Sequence, residues 1–213
     1  MRIVLCYPVE SQHVEQIQAA APDAEIIDAG QERIADELPQ ADIFIGHAKV
    51  PVPWAEVVNQ GRLKWIQSSA AGLDHCLVPE VVDSDIVVTG ASGLFANQVA
   101  EQTLALLLGL LRGLPTFFRA QLKKEFIRRP TGDLFGKTVG ILGFGGNGRR
   151  IAEVLAPFHV RLLATDLYVQ DQPEHVDNLL PADKMDEVLR QCDVAILAVP
   201  LTKQTKGFFA APH

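Results

Sequence analysis

Three cysteines in 213 residues, Cys6, Cys76 and Cys192, are odd in number, far apart and without metal-ligand spacing. They exclude a disulfide-stapled secreted scaffold and read as small buried hydrophobes in a reducing compartment. Basic residues are scarce relative to acidic ones, 19 against 26, for a net charge of -7. They are spread along the chain apart from pairs such as Lys123-Lys124 and Arg128-Arg129, so no nucleic-acid footprint is present. Long apolar runs are missing too. The strongest, Thr103 to Leu111, is bounded by Glu101 and Arg112 and falls well short of the roughly 20 residues that span a bilayer. The opening "MRIVLCYPVESQHVEQ" is broken by Pro8 and Glu10, too early for a signal-peptide core, so the expected location is cytoplasmic with no membrane partner. No repeat, low-complexity stretch or cluster of metal-ligand residues stands out, and "GASGL" at Gly90–Leu94 lacks the final glycine of a nucleophile elbow.

What is present is a 48% hydrophobic chain with alternating short strands and helices. Up to about residue 96, strands are expected at Ile3–Tyr7, Glu25–Asp28, Asp42–Gly46, Leu63–Gln67 and Ile86–Thr89, with helices carrying Val14 and Ile17, or Val57 and Val58, between them. Alternation of this kind implies a parallel sheet covered on both faces. A helix from near Asn97, ended by Gly113 and Pro115, is apolar on more than one face and is expected to be buried on more than one side. A second alternation follows: strand Thr138–Leu142, a helix with Ile151, Val154 and Leu155 inward, strand Val160–Thr165, a helix bearing Met185, Val188 and Leu189, and strand Val194–Val199 stopped by Pro200. The fold class is α/β, with two parallel-sheet domains, residues 1–96 and residues 97–213.

Between the first strand and helix of the second domain lies Gly143-Phe144-Gly145-Gly146-Asn147-Gly148, a G-x-G-x-x-G turn. The first glycine makes the tight turn, the second lets the backbone approach a pyrophosphate, and the third lets the helix pack on the strand. The helix N-terminus then offers free N–H groups and a positive dipole end to the phosphates. Asp166 ends the next strand eighteen residues after Gly148 (166 minus 148), where a carboxylate accepts from an adenine ribose 2'-hydroxyl. That acid repels a 2'-phosphate, and "LYVQDQPEH" after it has no arginine or lysine to hold one, so NAD is the expected cofactor. Arg149 and Arg150 fit either a phosphate contact or a solvated helix face.

These segments, "LFGKTVGILGFGGNGRRIAEVL", "LLATD" and "MDEVLRQCDVAILAVPLTKQTKGFF", with "LKWIQSSAAGLDHC" and "VTGASGLFANQVAEQTLALLL" upstream, resemble the D-isomer-specific 2-hydroxyacid dehydrogenases. The family includes glyoxylate/hydroxypyruvate reductases, phosphoglycerate dehydrogenase and formate dehydrogenase. The resemblance implies a flavodoxin-like substrate-binding domain followed by a Rossmann-like NAD-binding domain, of which this chain carries the N-terminal half. It implies that the Ala71 and Gly72 amides meet a small 2-hydroxy or 2-oxo acid's carboxylate, with Ala71 also near the nicotinamide and Val99 against its ring. Gly143, Gly145, Gly146, Asn147, Gly148 and Asp166 would hold NAD, with Val199 and Pro200 lining the cofactor's cleft. It also implies a homodimer through the NAD-binding domains, to which the helix ending at Arg112 and "PTFFRAQ" contribute.

Two departures accompany the likeness. Asn147 stands where the family usually has an apolar residue, and a tryptophan common before the "GKT" strand is missing. A larger one concerns chemistry: the histidine that moves the hydroxyl proton, the acid that tunes it and the arginine that clamps the substrate all follow, in the family, the strand that here ends at Pro200. The catalytic set is therefore expected to be absent from these 213 residues. His213, thirteen residues after Pro200 (213 minus 200), stands where the family is still entering a helix and is a poor proton donor. Asp74-His75 reads as a turn acid beside a surface histidine, and His47, closing a strand, as a structural histidine. The favoured reading is an NAD-dependent 2-hydroxyacid dehydrogenase continued beyond this sequence. The alternatives are a non-catalytic NAD-binding regulatory module or an inactive truncated product.

Overall fold

The computed structural model describes residues 1–169 and 171–210; His213 lies outside them. The chain forms two compact units, Met1–Ser92 and a second from Gly93 onward.

In the first unit β1 (Arg2–Cys6), α1 (Ser11–Ala20), β2 (Glu25–Asp28), α2 (Gly30–Glu37), β3 (Ile43–Gly46), α3 (Trp54–Gln60), β4 (Trp65–Ser68), α4 (Pro79–Val82) and β5 (Val87–Thr89) follow one another. The sheet order is β2-β1-β3-β4-β5, and every pairing is parallel. Strand spans differ from the expected ones by a residue or two at their ends, where hydrogen-bonded register rather than hydropathy sets the limit. The core gathers Val4, Ile34, Leu38, Phe44, Val57 and Ile66 on one side of the sheet. Phe44 is fully buried, so truncating it to alanine costs about 3–5 kcal/mol. Because β1 pairs with both β2 and β3, the chain reverses its direction of travel across the sheet there, and the crevice of a parallel sheet opens at the carboxyl ends of such a pair.

In the second unit α5 (Ala96–Leu111), α6 (Leu114–Leu122), β6 (Thr138–Leu142), α7 (Gly146–Leu155), β7 (Arg161–Asp166), β8 (Asn178–Pro181), α8 (Met185–Leu189) and β9 (Val194–Leu197) form a parallel sheet of order β8-β7-β6-β9. This is the α/β class anticipated from the alternation. The strand β8 was not anticipated: "NLLP" ends in a proline, which removes a ladder donor and reads as a break rather than as part of a sheet. Likewise α6 begins where Pro115 was read only as a helix stop. Gly113, at φ +66°, ends α5 in the left-handed region, and Pro115 then falls in the first turn of the next helix, where its missing N–H costs nothing.

One expectation about α5 is not met within the chain. Its Ala100, Leu104, Leu107, Leu108 and Leu111 pack on the core of β6, α7 and β7, but Leu106 and Leu110 on the other side are exposed. Only one side is covered. No single helix among the described residues is long and apolar enough to cross a membrane; α5 and α6 pass that test only as a pair, bent by 69°. β9 lies at the sheet edge with Ala195 and Leu197 exposed.

Candidate functional site

The glycine turn joins β6 to α7, and each glycine has a separate steric reason. Gly143 has φ +96°, and a Cβ there would sit 2.8 Å from the carbonyl of Ala198 and from the nitrogen of Val199. A Cβ on Gly148 would sit 2.1 Å from the Gly143 carbonyl oxygen. The helix can enter this closely only because both positions lack a side chain. At Gly145, in contrast, a Cβ would meet nothing within 4 Å. Its bare backbone faces open space, as a backbone must if a pyrophosphate is to lie against it. Gly146 and Asn147 open α7, so their N–H groups have no carbonyl of the preceding turn to bond, and no side chain caps them. The turn therefore fits an anionic dinucleotide in shape and in donors.

Asp166 closes β7 beside this turn. One carboxylate oxygen accepts from the Phe144 amide at 2.5 Å and the other from the Tyr168 amide at 2.9 Å. The carboxylate thus pins the turn to the end of β7, a role that spacing alone did not disclose. Each oxygen keeps a further lone pair for a hydroxyl donor. The Arg149 guanidinium lies 5.0 Å over the Phe144 ring and donates to the Asp171 carbonyl at 3.1 Å. Arg149 thus ties the face of α7 to the loop after β7 at the surface.

Past β9, Val199 is half-buried and Pro200 exposed. The loop that follows is ordered by its own threonines: the Thr205 hydroxyl donates to the Pro200 carbonyl at 2.6 Å and accepts from the Thr202 amide at 2.8 Å. The Thr-x-x-Thr spacing was a legible signal for this turn, passed over in the sequence. Val99, in α5, packs against the core of the second unit, and its carbonyl accepts from the Thr103 hydroxyl at 2.8 Å.

In the first unit the loop after β4 carries Ala71 and Gly72, both exposed, with no protein acceptor for either amide among the described residues. Two adjacent free N–H donors suit a carboxylate. The loop is anchored from below by the fully buried Ser68, whose hydroxyl accepts from the Ala70 amide at 3.0 Å and lies 3.3 Å from Nε2 of His75. The His75 ring stacks on His47 with centroids 4.0 Å apart and planes inclined by 29°. Expected at the surface, His75 is instead half-buried, and burial together with the adjacent His47 holds its pKa below the ordinary value. The pair joins residues 28 apart (75 minus 47), which only the β3–β4 register brings together. Among the described residues no group of three potential metal ligands occurs.

A family model for the NAD binding domain of D-isomer specific 2-hydroxyacid dehydrogenases matches residues 104–213. A glyoxylate reductase of Pyrococcus furiosus is 28% identical over 82% of this chain and 54% of its own length. A mitochondrial formate dehydrogenase of Hordeum vulgare is 32% identical over 73% of this chain and 43% of its own. The chain thus spans about half the length of the curated relatives it matches. Among solved structures, an NAD-dependent formate dehydrogenase from Staphylococcus aureus in complex with NAD aligns with a TM-score of 0.76 and 26% identity, over 98% of this chain and 68% of that one.

Proposed function

The chain belongs to the D-isomer specific 2-hydroxyacid dehydrogenase family and carries its NAD-binding domain, and from that premise we propose that it serves NAD-dependent hydride transfer between a nicotinamide and a small 2-hydroxy or 2-oxo acid. In this reading the unit before Ser92 binds substrate and the unit from Gly93 binds cofactor. Bound NAD supplies a hydride acceptor at the nicotinamide. Gly143 and Gly148 shape the turn, Gly145 leaves the approach clear, and the Gly146 and Asn147 amides donate to the pyrophosphate. Asp166 accepts from the adenine ribose. Val99, Val199 and Pro200 lie along the cofactor. The Ala71 and Gly72 amides hold the substrate carboxylate, with Ser68 and His75 fixing the loop that presents them.

The observation that carries the reading is the turn itself: open backbone at Gly145, two unbonded amides at the head of α7, and a carboxylate at the end of the neighbouring strand. This assigns binding, not proton transfer, to the described residues. His47 and His75 are engaged with each other through the ring stack, and burial together with His47 outweighs the Asp74 carboxylate in holding the His75 pKa low. A homodimer through the exposed faces of α5 and α6, where Leu106, Leu110, Phe118 and Leu122 are uncovered, belongs to the same proposal. The test is an NADH fluorescence titration of the purified chain, then addition of glyoxylate or hydroxypyruvate. Saturable binding is expected. Absence of NADH binding by a folded chain would refute the assignment, binding without turnover fits a holding role, and a monomer by light scattering refutes the dimer.

A further inference from the structure

The first unit holds a cleft of about 430 Å3 across the carboxyl ends of β1 and β3, lined by Cys6, Tyr7, Gln31, His47, Lys49 and Ser69 among others. It lies at the reversal of strand order, the place where a doubly wound sheet presents its crevice. Its β3 wall is built rather than incidental. The Gln31 side chain donates to the His47 carbonyl at 2.8 Å and accepts from the Lys49 amide at 2.7 Å, so α2 clamps the stretch that carries both cationic-capable groups. His47 is held from the other side by its stack on His75. Lys49 makes no ion pair with a carboxylate among the described residues. Ser69, on the β4 side of the cleft, lies two residues before Ala71.

From this arrangement we infer that the cleft receives the distal carboxylate of a dicarboxylic 2-oxo or 2-hydroxy acid, held by Lys49 and His47. The inference rests on the proposed role of Ala71 and Gly72 as the anchor of the first carboxylate. Order across the sheet decides which charge the second group meets. A ligand anchored after β4 crosses β3, bearing His47 and Lys49, one strand spacing away at about 4.8 Å, before it crosses β1 and reaches β2. That is the reach of a four- or five-carbon diacid. Asp28 closes β2 on the far side, where it helps burial raise the Cys6 and Tyr7 pKa values, and Asp74 flanks Gly72 at the anchor end. An acid with an uncharged tail gains nothing from Lys49, whereas a second carboxylate gains a charge-assisted contact.

The test compares 2-oxoglutarate with 2-oxopentanoate, equal in chain length and differing in the second carboxylate, by calorimetric titration of the chain in saturating NAD, where neither acid has a hydride to accept. At low ionic strength 2-oxoglutarate is expected to bind at least tenfold tighter, with the ratio shrinking as salt is added. In Lys49→Met the ratio falls to near one, and in Lys49→Glu below one; unchanged emission from Trp54 and Trp65 confirms the fold of each variant. Equal binding of the two acids, or a ratio that survives Lys49→Met, overturns the inference and leaves the carboxylate anchor standing. Failure of both acids to bind overturns the anchor and the inference together.

Discussion

Replacing Asp166 with alanine should damage the fold and the cofactor site by amounts that can be separated. The carboxylate accepts from two backbone amides, Phe144 at 2.5 Å and Tyr168 at 2.9 Å. Hydrogen bonds to charged groups contribute about 1.5–3 kcal/mol each, but Tyr168 is exposed and water replaces its partner, whereas Phe144 is only 3% exposed and is left with a buried unpaired donor. The loss is therefore dominated by one bond, about 2 kcal/mol, or on the order of 5–10 °C in melting temperature for a unit of this size. Loss of the proposed ribose acceptor is expected to add a separate penalty, roughly ten- to hundredfold in NADH affinity. Asp166→Asn splits the two: its carbonyl oxygen still accepts from Phe144, so most stability stays, while the charge the ribose hydroxyl prefers is gone. Differential scanning calorimetry reads the first effect and fluorescence titration the second. An alanine variant with the parent melting temperature would refute the stitch. An asparagine variant with the parent NADH affinity would refute the ribose role.

Gly145→Ala and Gly148→Ala should part company in the same two assays. The first places a methyl in open space and lowers NADH affinity at least tenfold with little change in melting. The second drives a Cβ into the Gly143 carbonyl and costs about 3 kcal/mol or more, so equal stability of the pair would contradict the packing described. The pH dependence of the first unit offers a third check. With the His75 pKa held below its ordinary 6.5, the unfolded chain binds more protons than the folded one between that folded value and 6.5. Stability therefore declines as pH falls through this window, and His75 has no such effect above it. His75→Phe, which keeps a ring against His47, should flatten the decline between pH 7.5 and 5.5 in urea unfolding; identical slopes would count against the buried neutral imidazole. Finally, Cys76 is buried with its pKa pushed up to about 11, so it should resist iodoacetamide at pH 8 until urea is added, and prompt labelling of the native chain would contradict that burial.

Much of this was legible before any coordinates. Strands such as Arg2–Cys6 and Thr138–Leu142 show in the sequence because a buried parallel strand is a short apolar run between polar turns. The glycine turn shows because three steric demands fall at fixed spacing. What stayed hidden depends on register or on context. The His47–His75 stack needs β3 beside β4, and the double duty of Asp166 needs β7 beside β6. β8 ends on a proline that reads as a break, and α6 hides behind a proline that serves equally to stop a helix or to start one. The apolar character of α5 was plain, yet hydropathy cannot say whether the covering surface is in the same chain.

The close approach of Gly143 to Ala198 and Val199 bears on timing during synthesis. The turn between β6 and α7 is bounded on one side by β7, whose Thr165 carbonyl accepts from the Gly143 amide at 2.8 Å, and on the other by the end of β9. A ribosome emits the first motif residue 55 positions before that second boundary (198 minus 143). Until Val199 has emerged, one wall of the turn does not exist, and nothing but solvent limits Gly143. Nucleotide competence in this chain is thus acquired late, and a nascent chain halted before β9 should carry the whole motif without yet binding the cofactor.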